Sequence, residues 1–300
     1  MNAFTAFSDG SMSYITRLHA AVVKKQSPLC VGLDPRFESL PLAVQSRYPS
    51  TNSGQALAYE EFCSRVIDLV APYCAAVKPQ SAFFEALGSA GYQALEQVIA
   101  KAKSAGLLVI LDAKRGDIAS TASAYAEAAF VHLKADALTI NPYLGQDAVE
   151  PFITEARRHG AGLYVLVRTS NAGAGVFQDV VTNDGMVHEV VARAVNQWTS
   201  EKLHDGWGDV GAVVGATSPA ELLKLRQMMP QVPLLVPGYG AQGGTAKDCR
   251  AAFAVGGLGA VVNSSRGILF PYRPDDVTWE KKIEEAAIKA QRELAAVAGL

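Results

Sequence analysis

Short apolar runs alternate with longer amphipathic stretches along this 300-residue chain. The runs cover residues 29–33, 75–78, 107–112, 137–140, 163–167, 210–214, 234–236 and 260–263, and most are rich in leucine or β-branched residues. Near-continuous apolar runs of this length fit strands buried on both faces, as in a parallel sheet. Between them, helical patterns occupy 59–70, 91–105, 119–133, 187–202 and 219–229, and 277–298 reads as a final helix. Eight strands, each followed by a helical stretch, predict an α/β chain folded as a (β/α)8 TIM barrel, a single domain over 14–300 behind a loose tail over 1–13. The competing doubly wound sheet usually carries a G-x-G-x-x-G turn after its first strand. Here the first strand runs instead into Gly32-Leu33-Asp34-Pro35-Arg36. Two connections, 35–55 and 170–185, are long enough to suggest lids or binding segments.

Composition narrows the class without changing the fold. Hydrophobic residues make up 49% of the chain and charged ones 19%, which fits an ordinary globular protein rather than a disordered or fibrous one. The formal charge of −2 argues against a broad nucleic-acid-binding surface. Cys30, Cys63, Cys74 and Cys249 form no CxxC pair, so they read as buried reduced thiols rather than a zinc or redox motif. No basic-then-apolar leader opens the chain, and no apolar run approaches the ~18 residues of a membrane span. A soluble, cytoplasmic protein without membrane or nucleic-acid partners is the expectation.

In a barrel of this type the active site lies at the C-terminal ends of the strands. What terminates each run is therefore informative. The first run leads to Asp34, the second ends in Lys78, and the third ends in Asp112-Ala113-Lys114 followed by Asp117. A D-x-K-x-x-D spacing alone arises by chance in roughly one chain of this length in twenty. Its position at the end of an apolar strand gives it weight. Residues i and i+2 of a strand face the same side, so Asp112 and Lys114 are expected to share the barrel mouth, with Asp117 out of that register. A solvated ion-pair cluster at a strand end is the bland alternative.

The last two strands carry an independent signal. The seventh runs into Pro237-Gly238-Tyr239-Gly240-Ala241-Gln242-Gly243-Gly244, and the eighth into Asn263-Ser264-Ser265-Arg266-Gly267. Loops at these two positions commonly bind phosphate in this fold. Glycines admit close approach of backbone N–H groups to an anion, and Arg266 adds a planar fork of donors. Thr169-Ser170-Asn171 after the fifth strand offers further polar groups. The five histidines end no strand and form no H-x-x-x-H pair, so they read as structural or surface residues rather than metal ligands.

These residues, in this order, resemble the orotidine 5′-phosphate decarboxylase family, in particular its longer bacterial (type 2) branch. The resemblance spans Leu29 to Arg266 and rests on Asp34, Val77-Lys78-Pro79-Gln80, Leu111-Asp112-Ala113-Lys114-Arg115-Gly116-Asp117-Ile118, the glycine-rich 237–244 segment and Arg266. It implies a cofactor-free, metal-free homodimeric barrel that converts orotidine 5′-monophosphate to UMP and CO2, the last step of de novo pyrimidine nucleotide synthesis. By position, Lys114 resembles the lysine that protonates C6, Asp112 the carboxylate facing the departing CO2, and Lys78 the second lysine of the charge array. Asp117 resembles the aspartate lent to the neighbouring subunit's site, with Thr121 beside it. Asp34 resembles the ribose-binding aspartate and Ser170 the pyrimidine-contacting serine. Gln242 and Arg266 resemble the phosphate grip, with Pro237 and Ser265 of the same loops also at substrate-binding positions.

The chemistry gives those residue types a reason. Loss of CO2 from C6 leaves a carbanion with no carbonyl placed to delocalise it. Without a cofactor sink or metal, the remaining tool is a preorganised cation where negative charge develops. An ammonium at Lys114 flanked by Asp112 and Asp117, with Lys78 keeping the carboxylates ionised, supplies that tool. Three other readings stay open from the residues. They are a magnesium-dependent sugar-phosphate decarboxylase or aldol enzyme on the same barrel, a Schiff-base aldolase using Lys114, and a non-catalytic nucleotide-binding barrel.

Overall fold

The computed structural model describes residues 12–241 and 243–300. Eight parallel strands close into a barrel: β1 (Leu29–Leu33), β2 (Ala76–Pro79), β3 (Leu108–Arg115), β4 (Ala137–Ile140), β5 (Gly162–Arg168), β6 (Val210–Val214), β7 (Leu234–Val236) and β8 (Ala260–Ser264). Neighbouring strands are consecutive in sequence, and β1 pairs with β8 to close the ring. The principal helices are α1 (Tyr14–Lys25), α2 (Asn52–Val70), α3 (Gly88–Ser104), α4 (Ala119–Glu127), α5 (Gln146–Arg158), α6 (Val187–Ser200), α7 (Pro219–Met228) and α8 (Trp279–Ala298). The eight strands fall where the apolar runs predicted them. The α/β barrel expected from the alternation is the architecture observed.

Two helices escaped the pattern reading. α1 begins at Tyr14 because the Ser13 hydroxyl accepts the Thr16 N–H, capping the first turn. It ends at Gln26, whose φ of 49° is left-handed, with Lys24 and Lys25 complementing the helix dipole. α5 carries Pro151 inside it, a residue that normally argues against a helix interior. Its buried face of Val149, Phe152, Ile153 and Ala156 holds it against the barrel wall. The two long connections are also more structured than loops. Residues 35–55 contain a 3-10 turn (Phe37–Ser39), a short helix (Leu42–Gln45) and the start of α2. Residues 170–185 contain the helix Gly175–Gln178 and part of a two-stranded hairpin.

The barrel is filled, and filled asymmetrically. Its lower interior is packed by Cys30, Ala76, Leu108, Ile110, Ala137, Tyr164, Val213, Leu235 and Val261, all buried. α1 crosses beneath and seals this end with Tyr14, Ile15, Leu18 and Val22. The Tyr14 and Tyr164 hydroxyls meet at 3.0 Å, so neither buried phenol is left unpaired. Gly162 is required here by close approach, since a Cβ on it would collide with the Tyr14 ring. A larger outer core joins the barrel wall to the surrounding helices. With the lower end plugged by apolar side chains, polar groups inside the barrel are left at its C-terminal end.

All four cysteines are free and buried, as expected. Burial pushes the Cys30 thiol up to about 12, so it behaves as a small apolar side chain. No described helix is long and apolar enough to cross a membrane.

Candidate active site

A cavity of about 760 Å³ opens at the C-terminal ends of the strands. Asp34, Lys78, Asp112, Lys114, Ser170, Pro237, Ser265 and Arg266 all line it. These eight expected site residues come from six different strands or the loops behind them, more than 230 residues apart at the extremes. The barrel's closure brings them together.

The centre is a charged triplet. Lys78 and Asp112 are only 5% and 6% exposed. The Lys78 Nζ donates to Asp112 Oδ2 at 2.5 Å, and the Lys114 Nζ donates to Asp112 Oδ1 at 2.6 Å. Each carboxylate oxygen thus holds one ammonium. Burial works against the charged form of Lys78, but the charges of Asp112 and Asp34 outweigh it and hold its pKa above the ordinary lysine range. Burial likewise opposes ionised Asp112, yet the two lysines overrule it and hold the carboxyl well below the usual carboxylate range. Mutual pairing lets these buried charges persist where isolated ones would be strongly disfavoured.

The route by which Lys114 reaches Asp112 differs from simple strand alternation. The pairing of β3 with β4 slips between Leu111 and Arg115, and Lys114 adopts a left-handed φ of 48°. Its side chain remains 45% exposed to the cavity, whereas that of Asp112 is 8% exposed. The ammonium is therefore held by a buried carboxylate while facing the open space.

Thr139 of β4 was missed by the sequence reading. It is 1% exposed and its hydroxyl donates to Asp112 Oδ1 at 2.9 Å. The N–H groups of Ala113 and Lys114 both donate to it at 3.0 Å. Gln178 was also missed. Its side-chain oxygen accepts from the Thr169 N–H, its amide donates to the Thr169 hydroxyl, and it lines the cavity. Arg168 anchors the same loop through Asp179 and Glu221, each at 3.1 Å.

On the β1/β8 side, two acceptors await donors. Asp34 Oδ1 and Asn263 Oδ1 are buried without a hydrogen-bond partner among the described residues. Asn263 Nδ2 bonds the Ser265 hydroxyl at 3.2 Å. Gly32 makes this arrangement possible, because a Cβ there would collide with Ser265 Oγ. Burying unmet acceptors is costly, so both are poised for hydroxyl or amide donors of a ligand. Beyond them, Arg266 leans across the mouth towards the β7 loop, with its guanidinium 3.5 Å from the Ala241 carbonyl. Gly238, Gly240 and Gly243 in that loop have positive φ values of 105°, 80° and 96°. Gln242, expected to join Arg266, lies outside the described residues.

Two expected residues stand apart. Asp117 does not line the cavity; its Oδ1 accepts the Ile118 N–H at 2.8 Å. Thr121 lines a different cavity of about 390 Å³ with Arg115 and Tyr125. Among the described residues, no group of three or more His, Cys, Asp or Glu side chains is arranged to hold a metal ion.

Comparison with known proteins gives the family. Residues 27–278 match the model of the orotidine 5′-phosphate decarboxylase / HUMPS family. A protein of Rhodopirellula baltica named orotidine 5′-phosphate decarboxylase is 45% identical over 299 residues, covering 94% of this chain and 99% of its own length. One of the same name from Deinococcus radiodurans is 42% identical, covering 83% of this chain and 86% of its own length. The solved structure of Leishmania donovani OMP decarboxylase superposes with a TM-score of 0.78 at 36% identity, covering 96% of this chain and all of that one. The chain belongs to the orotidine 5′-phosphate decarboxylase / HUMPS family.

Proposed function

We propose that this chain decarboxylates orotidine 5′-monophosphate to UMP and CO2, closing de novo pyrimidine nucleotide synthesis in the cytoplasm, with its own side chains rather than a cofactor supplying the catalysis. The observation that carries the reading is the Lys78–Asp112–Lys114 triplet at the mouth of the barrel. The decarboxylase names borne by relatives at 42–45% identity favour this substrate over the sugar phosphates handled elsewhere on such barrels.

In the step itself the C6–carboxylate bond breaks and its electron pair stays on C6 as CO2 departs. Lys114 stands as the cation facing that developing charge, then transfers an Nζ proton to C6. Water returns a proton to the amine. A fixed ammonium needs no reorganisation at the moment of reaction, which is what makes such preorganised charge effective. Asp112 holds the Lys114 ammonium and faces the departing CO2, and Lys78 keeps Asp112 ionised. Asp34 takes a ribose hydroxyl on its unmet Oδ1, and Ser170 contacts the pyrimidine. Arg266, Gln242, Pro237 and Ser265 surround the phosphate, whose binding energy is spent on closure and orientation.

Asp117 and Thr121 act in the site of a second copy. Their absence from this chain's own cavity supports a homodimer with shared sites. Mixing tests it. Lys114→Ala chains and Asp117→Ala chains, each inactive alone, should regain about a quarter of normal activity after subunit exchange, since half the dimers then carry one intact site of two. No recovery despite confirmed exchange would make Asp117 a residue of its own subunit.

The reaction is tested by ultraviolet absorbance. Purified chain with orotidine 5′-monophosphate in EDTA should convert it to UMP. Conversion only after magnesium is added, or none at all, would overturn the reading.

A further inference from the structure

We propose that Thr139 is a positioning residue of this site, which sets through one hydroxyl both the orientation of Asp112 and the backbone turn that presents Lys114. The proposal rests on the reading of the reaction given above.

The polarity of the contact is unambiguous. A threonine hydroxyl has one proton and two lone pairs. The Ala113 and Lys114 amides can only donate, and both do so to Oγ1 at 3.0 Å. The lone pairs are thereby occupied, and the proton is left for Asp112 Oδ1 at 2.9 Å. Every bonding capacity of the hydroxyl is spent on the three residues Asp112, Ala113 and Lys114.

Two consequences reach the reacting lysine. The first runs through the carboxylate. Asp112 Oδ2 holds Lys78, while Oδ1 is shared by Lys114 and Thr139. Thr139 is the uncharged donor of the three, and it comes from the neighbouring strand. It pins the carboxylate plane without adding charge beside the leaving CO2. The second runs through the backbone. A left-handed φ is disfavoured at a residue with a side chain. At Lys114 that conformation turns two successive N–H groups onto one oxygen. Without the hydroxyl both would lose their acceptor, and the turn would lose what stabilises it.

Nothing else in β4 performs this task. The strand reads Ala-Leu-Thr-Ile and is buried throughout. A valine would fill the same space, so packing alone does not call for a hydroxyl. Loss of the hydroxyl should displace the proton donor rather than dismantle the binding site. Misplacement of a reacting group by about 1 Å can cost about 10²-fold in rate.

The test uses Thr139→Val, which keeps the shape, and Thr139→Ser, which keeps the hydroxyl. T139V should lower kcat about 100-fold with KM changed less than about threefold, because an interaction serving the transition state has gone. UMP affinity, measured by titration, should persist. T139S should recover kcat to within about fivefold of normal. Thr139→Ala gives the same reading should the valine variant not fold. Retention of kcat within about twofold in T139V, a loss residing in KM, or T139S as slow as T139V would overturn the proposal. A second readout is independent of turnover. The Ala113 and Lys114 amides should exchange hydrogen slowly in wild type and T139S and faster in T139V. If the wild-type chain were inert towards orotidine 5′-monophosphate, the reading of the reaction would fall. Exchange would still decide the positioning role, and equal exchange in wild type and T139V would refute it.

Discussion

Lys114→Ala should remove turnover by at least about 10⁴-fold while leaving the fold intact, because in the proposed reaction one side chain supplies both the electrostatic and the proton-transfer contribution. The Lys114 side chain is nearly half exposed, and among the described residues its only ion pair is to Asp112. Its removal leaves Asp112 still held by Lys78 and Thr139, so no buried charge is stranded. Substrate analogues should bind, and the melting temperature should change little. Replacement of Asp112 is a less clean experiment. Lys78 is 5% exposed and would lose its closest carboxylate, at a cost of about 3–5 kcal/mol for breaking a buried pair. A Lys114→Ala variant that turns over within about tenfold of wild type would remove Lys114 as proton donor, whatever the triplet's geometry.

Arg266→Ala should reduce kcat/KM by about 10²–10³-fold, the equivalent of 3–4 kcal/mol for losing a charge-assisted grip on phosphate. Among the described residues the Arg266 side chain makes one weak bond, to the Ala241 carbonyl at 3.5 Å, so its loss costs the fold little. The sharper measurement compares two substrates. Orotidine, which lacks the phosphate, should be handled equally by Arg266→Ala and wild type, since the residue then has nothing to grip. An equal loss on both substrates would place the role of Arg266 elsewhere than on the phosphate.

The sequence made the barrel legible because strands buried on both faces write themselves as apolar runs. It made the triplet legible because Asp112 and Lys114 interrupt such a run at its end. The loop after β7 was legible through glycines whose positive φ values serve its turns, and the loop after β8 through Arg266. Other features left no periodic mark. Thr139 is one polar residue in a four-residue strand, and nothing in its spacing points to the β3 backbone it serves. The left-handed turn at Lys114 carries no glycine to announce it. α5 was masked by Pro151, and α1 by its place beside the residues read as a tail. Asp117 and Thr121 were legible as chemistry but not as placement. Their pattern along the chain resembles a shared site, and a single chain's cavity does not contain them.

The two unmet acceptors on the β1/β8 side, Asp34 Oδ1 and Asn263 Oδ1, fit the same account. Both offer lone pairs to the hydroxyl donors of a ligand.

In the proposed reaction C6 loses CO2 and gains a proton at a site built from this chain's own charges. The decisive experiment follows the reaction in deuterium oxide with EDTA and analyses both products. One CO2 and one UMP should form per substrate consumed, with a single deuterium at C6 delivered by the exchanged Lys114 ammonium. Failure to form UMP, or UMP without deuterium at C6, would contradict that reaction.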